Sequence, residues 1–271
     1  MTGRTSGRTT TTAKRGARLG RAYGGRSGAP AVDGGGGAGA GGVGGVVLVL
    51  PDGEPESTRG PSRRAHLSAL SLGRALARGG RSDGLVVFPV HYRSRGWNGA
   101  EAGPAADADW ALAEVTRRYG DIPVCLAGHG LGARAALRSA GHPAVSSVLA
   151  MAPWLPRQGA EDPPEPVKQL VGRQVLIVHG TNDARADPDL SYRLAERAKK
   201  ANRDTCRFEV HTDGNALRQH HAEVLALAVD FVRGSLFPHP YARPIADALA
   251  APPPLGLRMP LAAGFGKSLR H

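Results

Sequence analysis

The sequence predicts an α/β fold: a single domain with a doubly wound, mostly parallel sheet of about six strands flanked by helices. Short apolar runs alternate with longer segments of helical periodicity between residues 46 and 237, which is typical of this fold class. The runs are apolar at nearly every position, as expected for strands buried on both faces of a parallel sheet. The chain of 271 residues is long enough for one such domain.

The first half of the domain alternates strand and helix. A β-branched run at 46–50 predicts the first strand, which ends at the Pro-Asp-Gly turn 51–53. Leucines at helical spacing predict a helix at 63–78, and apolar residues near that spacing predict another at 107–119. Between and after these helices lie predicted strands at 85–90 and 123–127.

The second half continues the alternation. A helix is predicted after residue 132, followed by strands at 148–151 and 174–179. The helix predicted at 188–201 has Pro188 in its first turn, where proline is well tolerated. A short strand at 208–211 and an amphipathic helix at 216–236 complete the domain.

The two ends of the chain differ in composition from this domain. Residues 1–45 are rich in glycine and contain seven Lys or Arg against one acidic residue, which predicts a disordered basic leader. Residues 238–271 are rich in proline and alanine, which predicts a mobile tail. The formal net charge of +12 therefore comes mostly from the ends, because residues 46–237 contain 24 basic and 21 acidic side chains.

Composition also limits the partners and the compartment. A nucleic acid is not an expected partner of the domain, although the arginines of the leader can contact phosphates as an alternative to remaining solvated. No apolar run reaches the ~18 residues of a membrane span, and the basic N-terminus lacks an apolar signal region, so we expect a cytoplasmic protein. Cys125 falls in a predicted core strand and Cys206 near the start of another, and neither suggests a disulfide framework or a metal site. We expect no cofactor and no metal.

Residues 124–137 contain a candidate catalytic motif. They comprise a buried strand, the turn Gly128-His129-Gly130-Leu131-Gly132 and an amphipathic helix. This arrangement resembles the G-x-S-x-G nucleophile elbow of the α/β-hydrolase family, with Gly130 in place of the serine. The alternative is a plain glycine-rich turn between strand and helix. The elbow predicts φ > 0 at Gly130, and the backbone N–H of Leu131 would be one donor of an oxyanion hole.

The resemblance implies positions for the other functional groups. The segment His179-Gly-Thr-Asn-Asp183 is similar to the family's acid segment, so Asp183 matches the triad acid, with a turn or cap role as the alternative and Asp187 as a weaker candidate. Asn215 stands where the family has its histidine, and an amide cannot accept a catalytic proton near neutral pH. Gly53 would supply the second oxyanion donor. Asp52 beside it would oppose an oxyanion unless its side chain turns away.

Two further sets of residues are candidates for function. His220 or His221 is a possible shifted base, against the alternative of packed or surface histidines. A ligand pocket suited to an anionic molecule is predicted from Tyr92, Arg93, Arg95, Trp97 and Trp154, against the alternative that Trp97 packs on the core. About twenty residues separate the strand ending near 152 from the one starting near 174, too few for the helical lid of many lipases.

We interpret the chain as an α/β-hydrolase-like protein with a degraded triad, without serine-esterase activity, that binds at most a small ligand or partner. The alternative is an active hydrolase or lyase that uses His220 or His221 with Asp183 and the backbone oxyanion hole. Under the first interpretation Gly130→Ser alone does not restore catalysis, whereas Gly130→Ser with Asn215→His would rebuild the relay. The substrate, the oligomeric state and whether Gly130 is natural or engineered are left open.

Overall fold

The fold is taken from a computed structural model that describes residues 16–25, 42–157 and 164–267. One nine-stranded sheet forms its centre. Its strands are β1 (Arg18–Leu19), β2 (Tyr23–Gly24), β3 (Gly45–Leu50), β4 (Leu85–His91), β5 (Val124–His129), β6 (Val145–Met151), β7 (Gln174–Gly180), β8 (Thr205–Val210) and β9 (Met259–Pro260).

Helices cover both faces of the sheet. The α-helices are α1 (Arg63–Gly79), α2 (Gly103–Tyr119), α3 (Leu131–Arg138), α4 (Pro188–Ala201), α5 (His221–Leu236) and α6 (Arg243–Ala250). Single turns of 3-10 helix lie at Arg81–Asp83, Gly99–Glu101, Ser139–Gly141, Lys168–Leu170 and Leu255–Leu257. Within these described ranges, no helix is both long and apolar enough to cross a membrane.

The strand order confirms the predicted fold class. The order is β1-β4-β3-β5-β6-β7-β8-β9, and β3 to β9 all pair in parallel. From β3 the chain moves outward to β4, then returns to the other side of β3 and continues to β8. The winding therefore reverses between β3 and β5, and ligands of such sheets bind at the carboxyl ends of the strands beside this reversal.

Alternate residues of each strand pack into two separate cores. In β3, Val46, Leu48 and Leu50 face the core that includes α2, α3 and α4, while Val47 and Val49 face the core that includes α1, α5 and α6. All five side chains are buried. This two-sided burial explains why β3 is apolar at almost every position.

The described part of the predicted mobile tail, residues 238–267, is instead packed on the domain, and residues 268–271 lie outside the described residues. Helix α6 buries Ile245 and Ala248, and β9 pairs in parallel with β8. The buried Arg207 guanidinium donates to the carbonyl of Leu257 at 3.0 Å, and Lys199 Nζ donates to the carbonyl of Leu249 at 2.8 Å. The Pro- and Ala-rich composition did not reveal this packing, because burial of only two apolar residues, Ile245 and Ala248, attaches the short helix α6 to the domain.

Two other boundaries differ from the sequence predictions. Within the predicted leader, β1 and β2 pair antiparallel with β4, and the rest of the leader, 1–15 and 26–41, lies outside the described residues. The last predicted helix begins at His221 rather than at residue 216, since the Asp213 carboxylate accepts the backbone N–H groups of Gly214, Arg218 and His220. These bonds hold residues 214–220 in a turn.

If the tail is part of the domain, Ile245→Ala should lower the free energy of unfolding by about 2–4 kcal/mol, since it leaves a cavity under α6. Leu255→Ala is the matched control, because Leu255 is 67% exposed, and it should change stability by less than about 0.5 kcal/mol. Urea unfolding measures both. Equal effects of the two substitutions would show that α6 is not packed on the sheet.

Candidate functional site

The elbow lies at the carboxyl end of β5, beside the reversal of the sheet. Gly130 connects β5 to α3 and has φ 56° and ψ −119°. The predicted positive φ is therefore confirmed. Its carbonyl accepts the first intrahelical hydrogen bond, from the N–H of Arg134 at 3.2 Å, so the first backbone N–H groups of α3 point toward the site.

The Asp52 side chain occupies the position expected for an oxyanion. Its Oδ1 accepts the backbone N–H of Gly53 at 2.8 Å and that of Leu131 at 3.0 Å. The two backbone groups predicted as oxyanion donors thus do converge on one acceptor. That acceptor is a carboxylate of the chain itself, so Asp52 turns into the hole rather than away from it.

Asp52 also fills the space above Gly130. A Cβ atom added to Gly130 would lie 2.5 Å from Asp52 Cγ and closer still to Oδ1. No side chain fits there while Asp52 keeps its position. Glycine adopts the positive φ of this position without strain, and its missing side chain leaves room for Asp52.

Arg185 neutralises Asp52 from the loop that follows β7. Its guanidinium lies 2.9 Å from Asp52 Oδ2 and donates a second hydrogen bond to the carbonyl of Gly53 at 2.8 Å. The Asp52 side chain is only 12% exposed, so this pairing offsets part of the cost of its burial. Sequence reasoning missed Arg185. The sequence signal that could have identified it is its position two residues after Asp183, in the loop that carries the matched acid.

Asp183 is held in the loop after β7 by four groups. Oδ1 accepts the backbone N–H groups of Arg185 and Ala186 at 2.8 and 2.9 Å, and Oδ2 accepts the Asn215 amide at 3.0 Å. His179 Nε2 lies 3.3 Å from Oδ2. Burial opposes ionisation of Asp183, but these hydrogen bonds outweigh it and lower its pKa to about 2.

The loop after β8 places Asn215 against both the acid and the elbow. Its amide donates to Asp183, and its backbone carbonyl accepts a hydrogen bond from His129 Nε2 at 2.7 Å. His129 is the elbow residue before Gly130. The side chains at 183 and 215 therefore meet as expected for an acid and its partner, but the partner is an amide that cannot act as a base.

His220 and His221 do not join this arrangement. The backbone N–H of His220 donates to Asp213, and His221 Nε2 lies 3.4 Å from Ser71 Oγ on α1. In the described part of the chain, neither histidine is hydrogen-bonded to Asp183. The turn at 214–220 accounts for this, because it replaces the helical path that was assumed for these residues.

Most residues of the predicted ligand pocket pack elsewhere. Trp97 is 4% exposed and lies under the Arg134 guanidinium, 3.9 Å from the ring centroid, so the alternative of core packing is correct. Trp154 lies near the same guanidinium, and Arg93 forms an ion pair with the buried Asp107. Tyr92 is buried, and burial, followed by the charges of Asp52 and Asp107, raises the pKa of its hydroxyl well above the usual value.

The cavity of the site lies on the α1 side of the sheet edge. It has a volume of about 1000 Å³ and is bounded by the loop after β3, by α1 and by the loop after β8. Its lining includes Asp52, His129, Asn215, His221 and, of the predicted pocket residues, Arg95. Among the residues that the structure places, no cluster of three histidine, cysteine, aspartate or glutamate side chains is arranged to hold a metal ion.

Comparison with solved structures assigns the fold. An α/β serine hydrolase without a lid from Xanthomonas campestris is 21% identical, with a TM-score of 0.53, and the match covers 73% of this chain and 85% of that one. The esterase PE8 is 18% identical over 80% of this chain and 99% of its own, with a TM-score of 0.55. The chain therefore has the α/β-hydrolase fold.

A third similar structure is the esterase Pf2001 of Pyrococcus furiosus, which is 14% identical over 72% of this chain and 84% of its own, with a TM-score of 0.56. No protein-family model matches the chain, and no curated protein matches it. At these identities the likeness establishes the fold, and the activity has to be argued from the site itself.

The lowered pKa of Asp183 predicts a pH dependence of stability. Because the pKa falls from 3.8 to about 2 on folding, the stabilisation is complete above pH ~4 and is lost as the pH falls through ~2. Asp183→Asn should remove about 2–3 kcal/mol at pH 7, following the 1.36 kcal/mol per pKa unit, and should flatten the unfolding free energy between pH 4 and 2. Asp189→Asn, at an exposed position on α4, is the control and should change little. Parallel pH profiles for wild type and Asp183→Asn would contradict the assignment.

Proposed function

We propose that this chain is a non-hydrolytic protein of the α/β-hydrolase fold, whose cavity at the sheet edge binds a small ligand instead of carrying out acyl transfer. The observation that carries the proposal is the Asp52 carboxylate, which accepts both backbone N–H groups of the anion hole. Three requirements of serine-hydrolase chemistry are unmet at the matching positions: the nucleophile and the base are missing, and the oxyanion hole is occupied.

The occupied hole removes electrostatic stabilisation of an acyl-transfer transition state. Such a state develops negative charge on the carbonyl oxygen, and loss of one donor of the hole typically costs 10²–10³-fold in kcat. Here both donors are already engaged by a carboxylate. A substrate carbonyl oxygen would therefore find both backbone donors already bonded to the Asp52 carboxylate.

The nucleophile and the base are missing at the matching positions. Gly130 supplies no hydroxyl, and the amide of Asn215 satisfies Asp183 without being able to accept a proton. General-base assistance contributes roughly 10²–10⁴-fold to the rate. Its loss adds to the loss of rate that the occupied oxyanion hole causes. The alternative of a hydrolase or lyase using His220 or His221 with Asp183 has no supporting hydrogen bond within the described residues.

A serine–histidine contact elsewhere in the cavity is the remaining competitor. Ser71 Oγ and His221 Nε2 lie 3.4 Å apart, which is long for a hydrogen bond to a hydroxyl. In the described ranges no carboxylate is hydrogen-bonded to His221, so the third member of a relay is missing. We therefore expect no activity from this pair.

The proposal predicts which substitutions restore a reactive serine. Gly130→Ser with Asn215→His, the change expected from the sequence to rebuild the relay, should stay inactive, because Asp52 still fills the hole and the space of the new side chain. Adding Asp52→Gly should yield a protein that a fluorophosphonate probe labels. The same triple variant with Gly130→Ala in place of Gly130→Ser is the matched control and should remain unlabelled.

Two results would contradict the proposal. One is labelling of the double variant as strong as that of the triple variant, which would mean that Asp52 does not block the site. The other is turnover of p-nitrophenyl acetate by the wild type that is abolished by Ser71→Ala or His221→Ala. Background hydrolysis that survives both substitutions agrees with the proposal.

A further inference from the structure

The cavity beside Gly130 has an unbalanced charge. Four arginines line it: Arg64 on α1, Arg95 after β4, Arg185 after β7 and Arg218 after β8. The two carboxylates of its lining are Asp52 and Glu54. A cavity walled mainly by one sign of charge raises the local concentration of ligands of the opposite sign.

Two of these arginines have their charge neutralised. Arg95 lies 2.8 Å from Glu54, and Arg185 lies 2.9 Å from Asp52. Arg64 and Arg218 have no ion-pair partner among the described residues. The cavity therefore keeps two uncompensated guanidinium groups, contributed by different elements of the fold.

The unpaired arginines indicate the chemistry of a ligand. Guanidinium groups bind phosphate and carboxylate oxygens through paired, charge-assisted hydrogen bonds. Ser62, Ser68 and Ser71 also line the cavity and supply hydroxyl donors beside Arg64. Arg64 and Arg218 are exposed side chains at the rim of the cavity, where a ligand can reach them from solvent.

Asp52 affects the affinity for such a ligand directly. It lines the same cavity, and it occupies the two backbone donors and the Arg185 guanidinium that an incoming anion would otherwise use. An internal carboxylate and an external anion therefore compete for one group of donors.

We propose that the cavity binds a small molecule through its phosphate or carboxylate group, that Arg64 and Arg218 recognise this group, and that Asp52 limits the affinity by occupying the anion hole. This inference rests on the proposed ligand-binding role of the cavity and specifies the class of ligand. It does not depend on whether the chain hydrolyses esters.

Calorimetric titration of the full chain with inorganic phosphate, and separately with acetate, tests this inference. We expect saturable binding of at least one of the two anions. Arg64→Gln with Arg218→Gln should weaken it at least tenfold. Arg78→Gln combined with Arg74→Gln is the matched control, because both are exposed arginines of α1 outside the cavity lining, and it should leave the affinity unchanged.

Asp52 is tested by two substitutions in the same titration. Asp52→Ala should raise the affinity at least tenfold, because it removes the competing carboxylate. Asp52→Asn keeps a side-chain oxygen in the loop and should also raise the affinity for the anion. It replaces the alanine variant in the test if that variant does not fold. The inference would be overturned if neither anion bound to the wild type or to either Asp52 variant. It would also be overturned if the double substitution at Arg64 and Arg218 weakened anion binding no more than the control double substitution does.

The outcome is separable from that of the proposed function. Esterase turnover or probe labelling reports on the non-hydrolytic role, whereas the titration reports on anion binding. A protein that hydrolyses esters and still binds phosphate through Arg64 and Arg218 would refute the first proposal and support the second.

Discussion

The carboxylate of Asp52 holds together three loops at the carboxyl edge of the sheet. It accepts hydrogen bonds from its own loop at Gly53 and from the start of α3 at Leu131, and it pairs with Arg185 from the loop after β7. An anion is stabilised at the start of a helix, where the backbone N–H groups lack intrahelical partners. Because the Gly130 Cβ position overlaps with Asp52, this interaction and a nucleophilic side chain at the elbow exclude each other.

The site therefore keeps the framework of a hydrolase while its functional groups satisfy one another. Asp52 takes the donors of the anion hole, and Asn215 takes the oxygen of Asp183 that would orient a base. These internal hydrogen bonds stabilise the loops around Gly130. What the cavity offers to a ligand is positive charge from Arg64 and Arg218, which both line it.

The sequence predicts the fold and part of the site for definite physical reasons. Strands β3 to β7 are largely apolar on both faces and therefore recognisable. The hydrogen bond from Asn215 to Asp183 follows from their positions after successive parallel strands. Asp52 was identified only as an opposing charge, because its rotamer and its contact with Leu131, 79 residues away, depend on tertiary packing. For the same reason the sequence left a pocket and core packing as alternatives for Trp97, which the Arg134 guanidinium covers. The packing of α6 depends on Ile245 and Ala248, whose signal is hidden by the surrounding prolines and alanines.

The most direct test of this account is the hydrogen exchange of the Gly53 and Leu131 amides, measured by NMR in the wild type and in Asp52→Ala. The carboxylate is the hydrogen-bond acceptor of both amides, so the account predicts that both are protected in the wild type and that both lose protection in the variant. The Arg134 amide, which donates to the Gly130 carbonyl, should exchange equally slowly in the two proteins. Unchanged exchange of Gly53 and Leu131 on removal of the Asp52 carboxylate would contradict the account.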